Sequence, residues 1–293
     1  MEKVKGLKEL LSLIGMPNEM ASKVLSYDKT ADYEAYAPEF ERMHDRKTWE
    51  DARLDLKKKL GDDPEGVKIL TCQLHEALPT WNKLLERGIS KDIMIATLKA
   101  FVRYMTEHKV SYGYYGYDRD YWTQRHVAGQ LFRIGELEYE LHYAEDEDYN
   151  EIPGTENDEK TNWNKMLGFH IPSDAKLDME SVNASLKQAK AFMREFFPDF
   201  ADRKLRCVSW LLAPNLKNLL GEGSNIIAFQ SIFNIYKANE DAMDVKEWVF
   251  KNRDIDIKDA PEDTSLQKKM KEYLIKGNKV GIGFGSVPVW EEL

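Results

Sequence analysis

From the start of the chain to about Lys109, apolar side chains recur every three or four positions, as in Leu7, Leu10, Leu11 and Ile14, and again in Ile93, Thr97, Leu98, Phe101 and Val102. That period lays them along one stripe of a helix. The stretches "GMPNEM", "GDDPEG" and "ERGISKD" interrupt it with Gly and Pro, and Asn18, Asp62 and Ser90 stand where helix caps are expected. The pattern predicts an all-helical first domain of about five or six helices.

After Tyr117 the period falls to two. In "GQLFRIGELEYELHYAED", Leu137, Tyr139 and Leu141 take one face while Glu136, Glu138, Glu140 and His142 take the other, which predicts two strands turning at Gly135. The acidic "EDEDYNEIPGTENDEKTN" is too polar to pack and reads as a solvated loop. A strand, "KMLGFHIP", then leads to a helix from about Asp178 to Phe197, where Val182, Leu186, Ala189, Phe192, Met193 and Phe196 keep helical spacing. Asp178 is its expected cap, with Ser181 in the first turn.

Further on, "RCVSWLL" reads as a strand, "PNLKNLLG" as a short helix and "NIIAFQSIFNIYKA" as a long strand. "DVKEWVFKNR" and "SLQKKMKEYLIKG" read as helices, and "KVGIGFGSVPVW" as a closing strand bent by glycine. The expected class is α+β: an all-helical domain over residues 1–120, then a mixed α/β sheet domain over 121–293.

Composition narrows the partners. A chain of 293 residues with 42% hydrophobic content supports two ordinary cores. A net charge of -9, with no cluster of basic residues, repels phosphate backbones and acidic membrane surfaces, so neither nucleic acid nor a membrane is an expected partner. Cys72 and Cys207 lie far apart in unrelated contexts, which argues for a reducing compartment rather than a disulfide framework. The opening "MEKVKGLKELLSLIG" is broken by charges every few residues and lacks the continuous apolar core of a signal peptide or membrane span. A cytoplasmic protein is the expectation. The histidines are scattered, without HExxH or paired-cysteine spacing, so no metal site is expected, and neither a Walker A nor a G-x-S-x-G sequence occurs.

Four blocks taken in order carry a resemblance: "WTQRHVAGQLFRIGELEYE", "FHIPSDAKLDMESVNASLKQAKAFMREFFP", "CVSWLLAPNLKNLL" and "SNIIAFQSIF". Together they resemble a family of bacterial N-acyltransferases with a helical N-terminal domain and a GNAT-like C-terminal domain. The resemblance implies a mixed sheet whose middle strands splay apart, so that acetyl-CoA or another acyl-CoA enters between them and presents its thioester to an amine. The acceptor would be an amine on a small molecule or a peptide. The splay would lie between "KMLGFHIP" and "RCVSWLL". The strand-to-helix junction "IPSDAKLD" would hold the pyrophosphate, with Ile171, Ser173, Asp174 and Lys176 beside the cofactor, because a helix start offers unpaired N–H groups and positive potential. The turn departs from the GNAT pattern of Gln or Arg, two residues, Gly, one residue, then Gly or Ala. Pro172 removes an N–H donor and Asp174 adds a negative charge.

Amine acylation needs a base for the ammonium proton and a donor for the thioester carbonyl. His170, at the end of a strand beside the expected splay, is the first choice for base; the alternative is an imidazole that only fixes the strand end through a backbone carbonyl. Glu138 and Glu140 share a strand face and are further candidates, although the same alternation predicts solvent exposure or a salt bridge to Arg133. Cys207 and Ser209 are expected to line the thioester channel, Cys207 as a buried structural thiol or a cofactor neighbour and Ser209 as a hydroxyl donor. Trp122, Arg125 and Arg133 are expected at the acceptor, Arg being suited to carboxylate or phosphate; an interdomain salt bridge is the equal alternative. Two other functions compete. One is a non-catalytic GNAT-like ligand- or protein-binding protein, favoured by the missing glycines. The other is a carbohydrate-active protein using "YGYYGYDRDYW" with Asp118 and Asp120.

Overall fold

The computed structural model describes residues 3–143, 165–221 and 223–293; the acidic stretch expected as a loop, 145–162, lies outside them. The chain divides into two compact units, Met1–Arg133 and Ile134–Leu293. The helical part runs past residue 120 because its last helix packs on an earlier one within the first unit.

That unit contains α1 (Leu7–Ile14), α2 (Asn18–Asp28), α3 (Tyr33–Met43), α4 (Trp49–Leu60), α5 (Val67–Glu86), α6 (Lys91–Tyr112) and α7 (Asp120–Val127). The three-and-four spacing has its expected consequence: Leu7, Leu10, Leu11 and Ile14 are all buried. Ser90 caps α6 by accepting from the Ile93 N–H at 3.2 Å. Asn18 is instead the first residue of α2, behind Pro17, and it is Asp63, not Asp62, whose carboxylate accepts from the Lys68 and Ile69 N–H groups.

The six-stranded sheet, whose first strand spans the boundary and whose other strands belong to the second unit, has the order β1-β2-β3-β4-β6-β5. Its first strands are β1 (Leu131–Ile134), β2 (Leu137–Tyr143) and β3 (Lys165–His170). Between β1 and β2 the chain turns at Gly135, whose φ of 63° suits glycine, and a Cβ there would stand 3.0 Å from that of Ser185. Next come α8 (Met179–Phe196), α9 (Pro198–Ala201) and β4 (Leu205–Ser209). As expected, Asp178 caps α8, accepting from the Ser181 N–H at 2.9 Å. Val182, Leu186, Ala189, Phe192 and Met193 form its buried stripe, and each large apolar side chain buried this way contributes about 1.5–3 kcal/mol. Ser185 docks the helix to the strands: its hydroxyl donates to the Ile134 carbonyl and lies 3.0 Å from the Tyr139 hydroxyl.

Three expectations give way after β4. "RCVSWLL" is a strand only to Ser209, whose hydroxyl accepts from the Leu211 N–H and turns Trp210–Leu212 into a 3-10 turn. After α10 (Leu216–Leu219), the expected long strand "NIIAFQSIFNIYKA" splits into α11 (Asn225–Gln230) and β5 (Asn234–Asn239). A short apolar run fits helix or strand by periodicity alone, and the Ser224 cap on the Ile226 N–H favours the helix. The chain ends with α12 (Asp244–Trp248), α13 (Ser265–Ile275), β6 (Ile282–Ser286) and α14 (Val289–Glu292), so "VPVW" turns helical instead of extending the last strand. There Trp290 is fully buried: its indole N–H donates to the Arg203 carbonyl and its own carbonyl accepts from the Lys190 ammonium at 3.1 Å.

Candidate active site

Pairing around β3 sets the site. With β2 it is antiparallel over its whole length, from Glu138 opposite His170 to Tyr143 opposite Lys165. With β4 it is parallel, but the pairing comprises only Leu167 with Leu205 and Gly168 with Arg206. Beyond that point β4 goes on pairing with β6 through Ser209, while among the described residues the β3–β4 ladder goes no further. The pairing of the two central strands therefore ends at Gly168, two residues before β3 ends at His170.

Register also sorts the faces, since residues opposite one another in a ladder point the same way. On one face lie Glu138, Glu140 and His142 of β2, Gly168 and His170 of β3, and Arg206 and Val208 of β4. On the other lie Leu137, Tyr139, Leu141, Leu167, Phe169, Leu205 and Cys207, all buried. Phe169 continues that apolar side into an aromatic group, 5.6 Å from the ring of Phe233 and 6.2 Å from that of Phe229.

The polar face is where chemistry collects. His170 Nε2 and Glu140 Oε2 are hydrogen-bonded at 2.6 Å, and His142 Nε2 stands 3.0 Å from the same oxygen. Glu140 is fully buried, His142 nearly so, and the His170 side chain retains 22% of its exposure. Gly168 makes this possible: a Cβ there would lie 2.6 Å from His142 Nε2 and 3.2 Å from the Glu140 Cβ, so only glycine opposite Glu140 lets the imidazole fold over the strand. Glu138 is buried on the same face, opposite His170. Solvated carboxylates are thus not what the alternation produces here. A period of two says that the faces differ, not that the polar one is open to water. His170 likewise takes a carboxylate, not a backbone carbonyl, as its Nε2 partner.

The other expected residues are more scattered. Ile171, Ser173, Asp174 and Lys176 do form the loop between His170 and α8. Within it the Ala175 N–H donates to the Pro172 carbonyl and the Lys176 N–H to the Glu136 carboxylate at 2.9 Å. The start of α8 already carries its own anions, since Asp178 accepts from Ser181 and Glu180 follows; that capping bond holds the Asp178 carboxyl below its ordinary range. Cys207 faces the apolar side, where burial pushes its thiol well above the ordinary range, while Ser209 is spent on the cap described above. Val208, its neighbour on the opposite side, is 47% exposed, unusual for an apolar side chain on an interior strand.

Trp122, Arg125 and Arg133 belong to the first unit. The Arg125 guanidinium lies over the Trp122 ring at 4.3 Å, and the Arg133 N–H donates to the Thr97 hydroxyl. Of the acids in the Tyr-rich segment, Asp120 is buried against Arg53 at 2.5 Å and Lys57 at 3.2 Å, so it is part of the helical core, and Asp118 pairs with Arg119. The carbohydrate reading loses its paired acids with that.

His142 and Gly168 were not among the expected site residues. His142 was already assigned to the polar strand face, and a glycine inside a strand is a sign of close approach; the missing information was the register that sets one against the other.

A helical region followed by a mixed sheet whose parallel central ladder ends beside a histidine–carboxylate pair has the architecture of a GNAT-like protein. The chain belongs to the family described by an N-acyltransferase N-terminal domain, matched over residues 5–129, and a GNAT-like C-terminal domain, matched over residues 131–287. Solved structures agree on the fold. An acyltransferase in complex with decanoyl-CoA and teicoplanin is 21% identical with a TM-score of 0.74, the match covering 98% of this chain and 90% of that one. An acyltransferase in complex with CoA and 10C-teicoplanin is 22% identical with a TM-score of 0.73, covering 97% and 88%. A mutant acyltransferase in complex with octanoyl-CoA is 21% identical with a TM-score of 0.74, covering 98% and 88%. No curated protein sequence matches this one.

Proposed function

We propose that the protein is an acyltransferase that moves an acyl group from acyl-coenzyme A to an amine on a small molecule or peptide. The observation that carries this reading is the end of the β3–β4 ladder at Gly168, with His170 just beyond it and Glu140 behind it. Family membership and the acyl-CoA complexes of the fold's solved relatives support it.

Acyl-CoA supplies the activated thioester; the chain supplies the proton chemistry. Paired through Nε2 with Glu140, the His170 imidazole is held at the strand end as the group that takes the proton of the attacking amine. The new N–C bond forms as the C–S bond breaks, and the proton passes on to the departing thiolate. Glu140, buried and anionic, holds the tautomer and favours the imidazolium as it forms. Glu138 is the second carboxylate of that face and relays protons toward solvent. Val208, exposed on the side of the sheet that carries His170, offers an apolar surface for the acyl chain. Ser209 and Cys207 flank the strand on the far side of the proposed opening, and Ser173, Asp174, Lys176 and Ile171 form the loop proposed to meet the cofactor phosphates, with Lys176 as its cation. Trp122, Arg125 and Arg133 are proposed for the acceptor. Two free, buried thiols suit the reducing cytoplasm, and among the described residues no helix is long and apolar enough to cross a membrane.

A second reading, a ligand- or protein-binding member without turnover, is favoured by one observation. The Ala175 and Lys176 amides of the expected phosphate cradle are already engaged, one of them by the Glu136 carboxylate. The two readings separate in a transfer assay that follows free thiol release from acetyl-CoA and decanoyl-CoA against a panel of primary amines and amino-terminal peptides. Amine-dependent thiol release and an acylated product support transfer; cofactor binding with no release from either donor overturns it in favour of the second reading.

A further inference from the structure

We propose that Glu140, His142 and His170 form a binding site for a borderline divalent cation of the Zn²⁺ or Co²⁺ type, and that the ion, once bound, switches off the base. This inference rests on the acyltransferase reading for its consequence but not for the site itself. Three donor atoms, one from each residue, lie within 4.8 Å of one another. Two imidazoles and one carboxylate are the donor set these metals favour, whereas Mg²⁺ and Ca²⁺ prefer all-oxygen shells.

The geometry points to one centre. Both Nε2 atoms approach the same carboxylate oxygen, at 2.6 Å from His170 and 3.0 Å from His142. Donors around a tetrahedral zinc with bonds of about 2.0 Å are roughly 3.3 Å apart, so the His170 and His142 nitrogens need move from the carboxylate oxygen by only about 0.7 and 0.3 Å. Two of the ligands are held rigidly, on neighbouring positions of one strand face, in a setting with no Cβ at Gly168 to displace the His142 ring. The third, His170, ends its strand and is the most exposed of the three, which leaves a coordination position and a route for the ion on the side where the ladder ends. Structural zinc sites are closed by four protein ligands, whereas three protein ligands leave a fourth position open.

The ion and the proposed catalytic pair use the same atoms. An ion bound through His170 Nε2 and Glu140 Oε2 replaces the 2.6 Å contact by which Glu140 holds the imidazole. Acyl transfer therefore falls as the site fills and returns when the ion is withdrawn.

The test is a titration of the metal-free, full-length protein with Co²⁺, read by its visible d–d absorption, and with Zn²⁺, read by calorimetry. One equivalent per chain is expected, with His142→Gln and His170→Gln each weakening it by at least about tenfold, the scale on which even ligand-supporting contacts act. Should His142→Gln not fold, His170→Gln carries the same test from a strand end that packing constrains least. No saturable binding overturns the site, as does undiminished binding in either variant, which would assign the ion to more exposed imidazoles such as His44 and His75. Transfer measured on the same samples before and after metal is added separates the two readings: turnover without metal binding overturns only this inference, and stoichiometric binding by a protein that shows no turnover even when metal-free overturns only the acyltransferase assignment. Binding with turnover unaffected by the ion overturns the switch.

Discussion

Each unit of this chain buries a polar cluster, and the two are built for different ends. In the helical unit Asp120 is met by Arg53 and Lys57, while the Gln73 side chain bonds the Asp120 carbonyl and Gln124, and Gln124 bonds the Trp49 carbonyl. Its charges are a carboxylate and cations that never lose their protons at neutral pH, and its neutral members are amides and hydroxyls. In the sheet unit the cluster is Glu140, His142 and His170, one carboxylate oxygen met by two imidazoles. The first arrangement fixes helices in place. The second sits where the pairing of two strands ends, on a side chain still partly open to solvent. Burial of charge alone does not mark a site; burial of groups whose protonation can change, beside an opening, does.

Four substitutions or probes sharpen this contrast. The largest effect is expected at His170→Ala, which should lower the transfer rate by about 10²–10⁴-fold while acyl-CoA affinity stays nearly the same, because a base acts on the rate and not on cofactor binding. Initial rates and calorimetry on one preparation would decide; a rate within a few-fold of the parent removes His170 as base. In the other cluster, Asp120→Ala takes from Arg53 the buried one of its two carboxylates and leaves Glu50. It should cost about 1.5–3 kcal/mol of stability, read from denaturant unfolding, with no change in rate per folded molecule. If it slowed transfer instead, the division between structural and reactive clusters would fail.

A smaller effect is expected at Ser185→Ala, which removes the hydroxyl between Ile134 and Tyr139. A loss of about 1–3 kcal/mol follows from leaving buried partners unsatisfied, measured the same way. The smallest concerns the thiols. Burial raises the Cys72 thiol to about 12 and Cys207 further still. Raising a thiol's pKa depletes the reactive thiolate, so neither should be alkylated at pH 8 until the protein is unfolded. Rapid labelling of Cys207 in the folded protein would place it in an open channel.

The same contrast explains what could be read from the sequence. Helical spacing in residues such as Leu7, Leu10 and Leu11, and alternation in Leu137, Tyr139 and Leu141, foretold the helical part and the first strands, because each is a local pattern with one periodicity. The split of "NIIAFQSIFNIYKA" into helix and strand was hidden, since a short apolar run satisfies both periods and a single serine cap decides between them. For the site, His170, Glu138 and Glu140 were legible as polar residues at a strand end and on one strand face. Their burial, and the convergence of His142 on Glu140 across Gly168, depend on register between strands separated by the stretch 144–164, which no local pattern encodes. The metal-capable trio escaped for the same reason: its spacing along the chain matches no short motif, yet the ladder brings its donor atoms within 4.8 Å.

The measurement that bears most directly on the central claim is calorimetric titration of the parent protein and His170→Ala with decanoyl-CoA and acetyl-CoA. If the gap between β3 and β4 receives the thioester beside His170, both proteins bind saturably, one acyl-CoA per chain, with closely similar affinities. Absence of heat and of thermal stabilisation with either donor would contradict the account, leaving the short β3–β4 ladder as architecture without that cofactor.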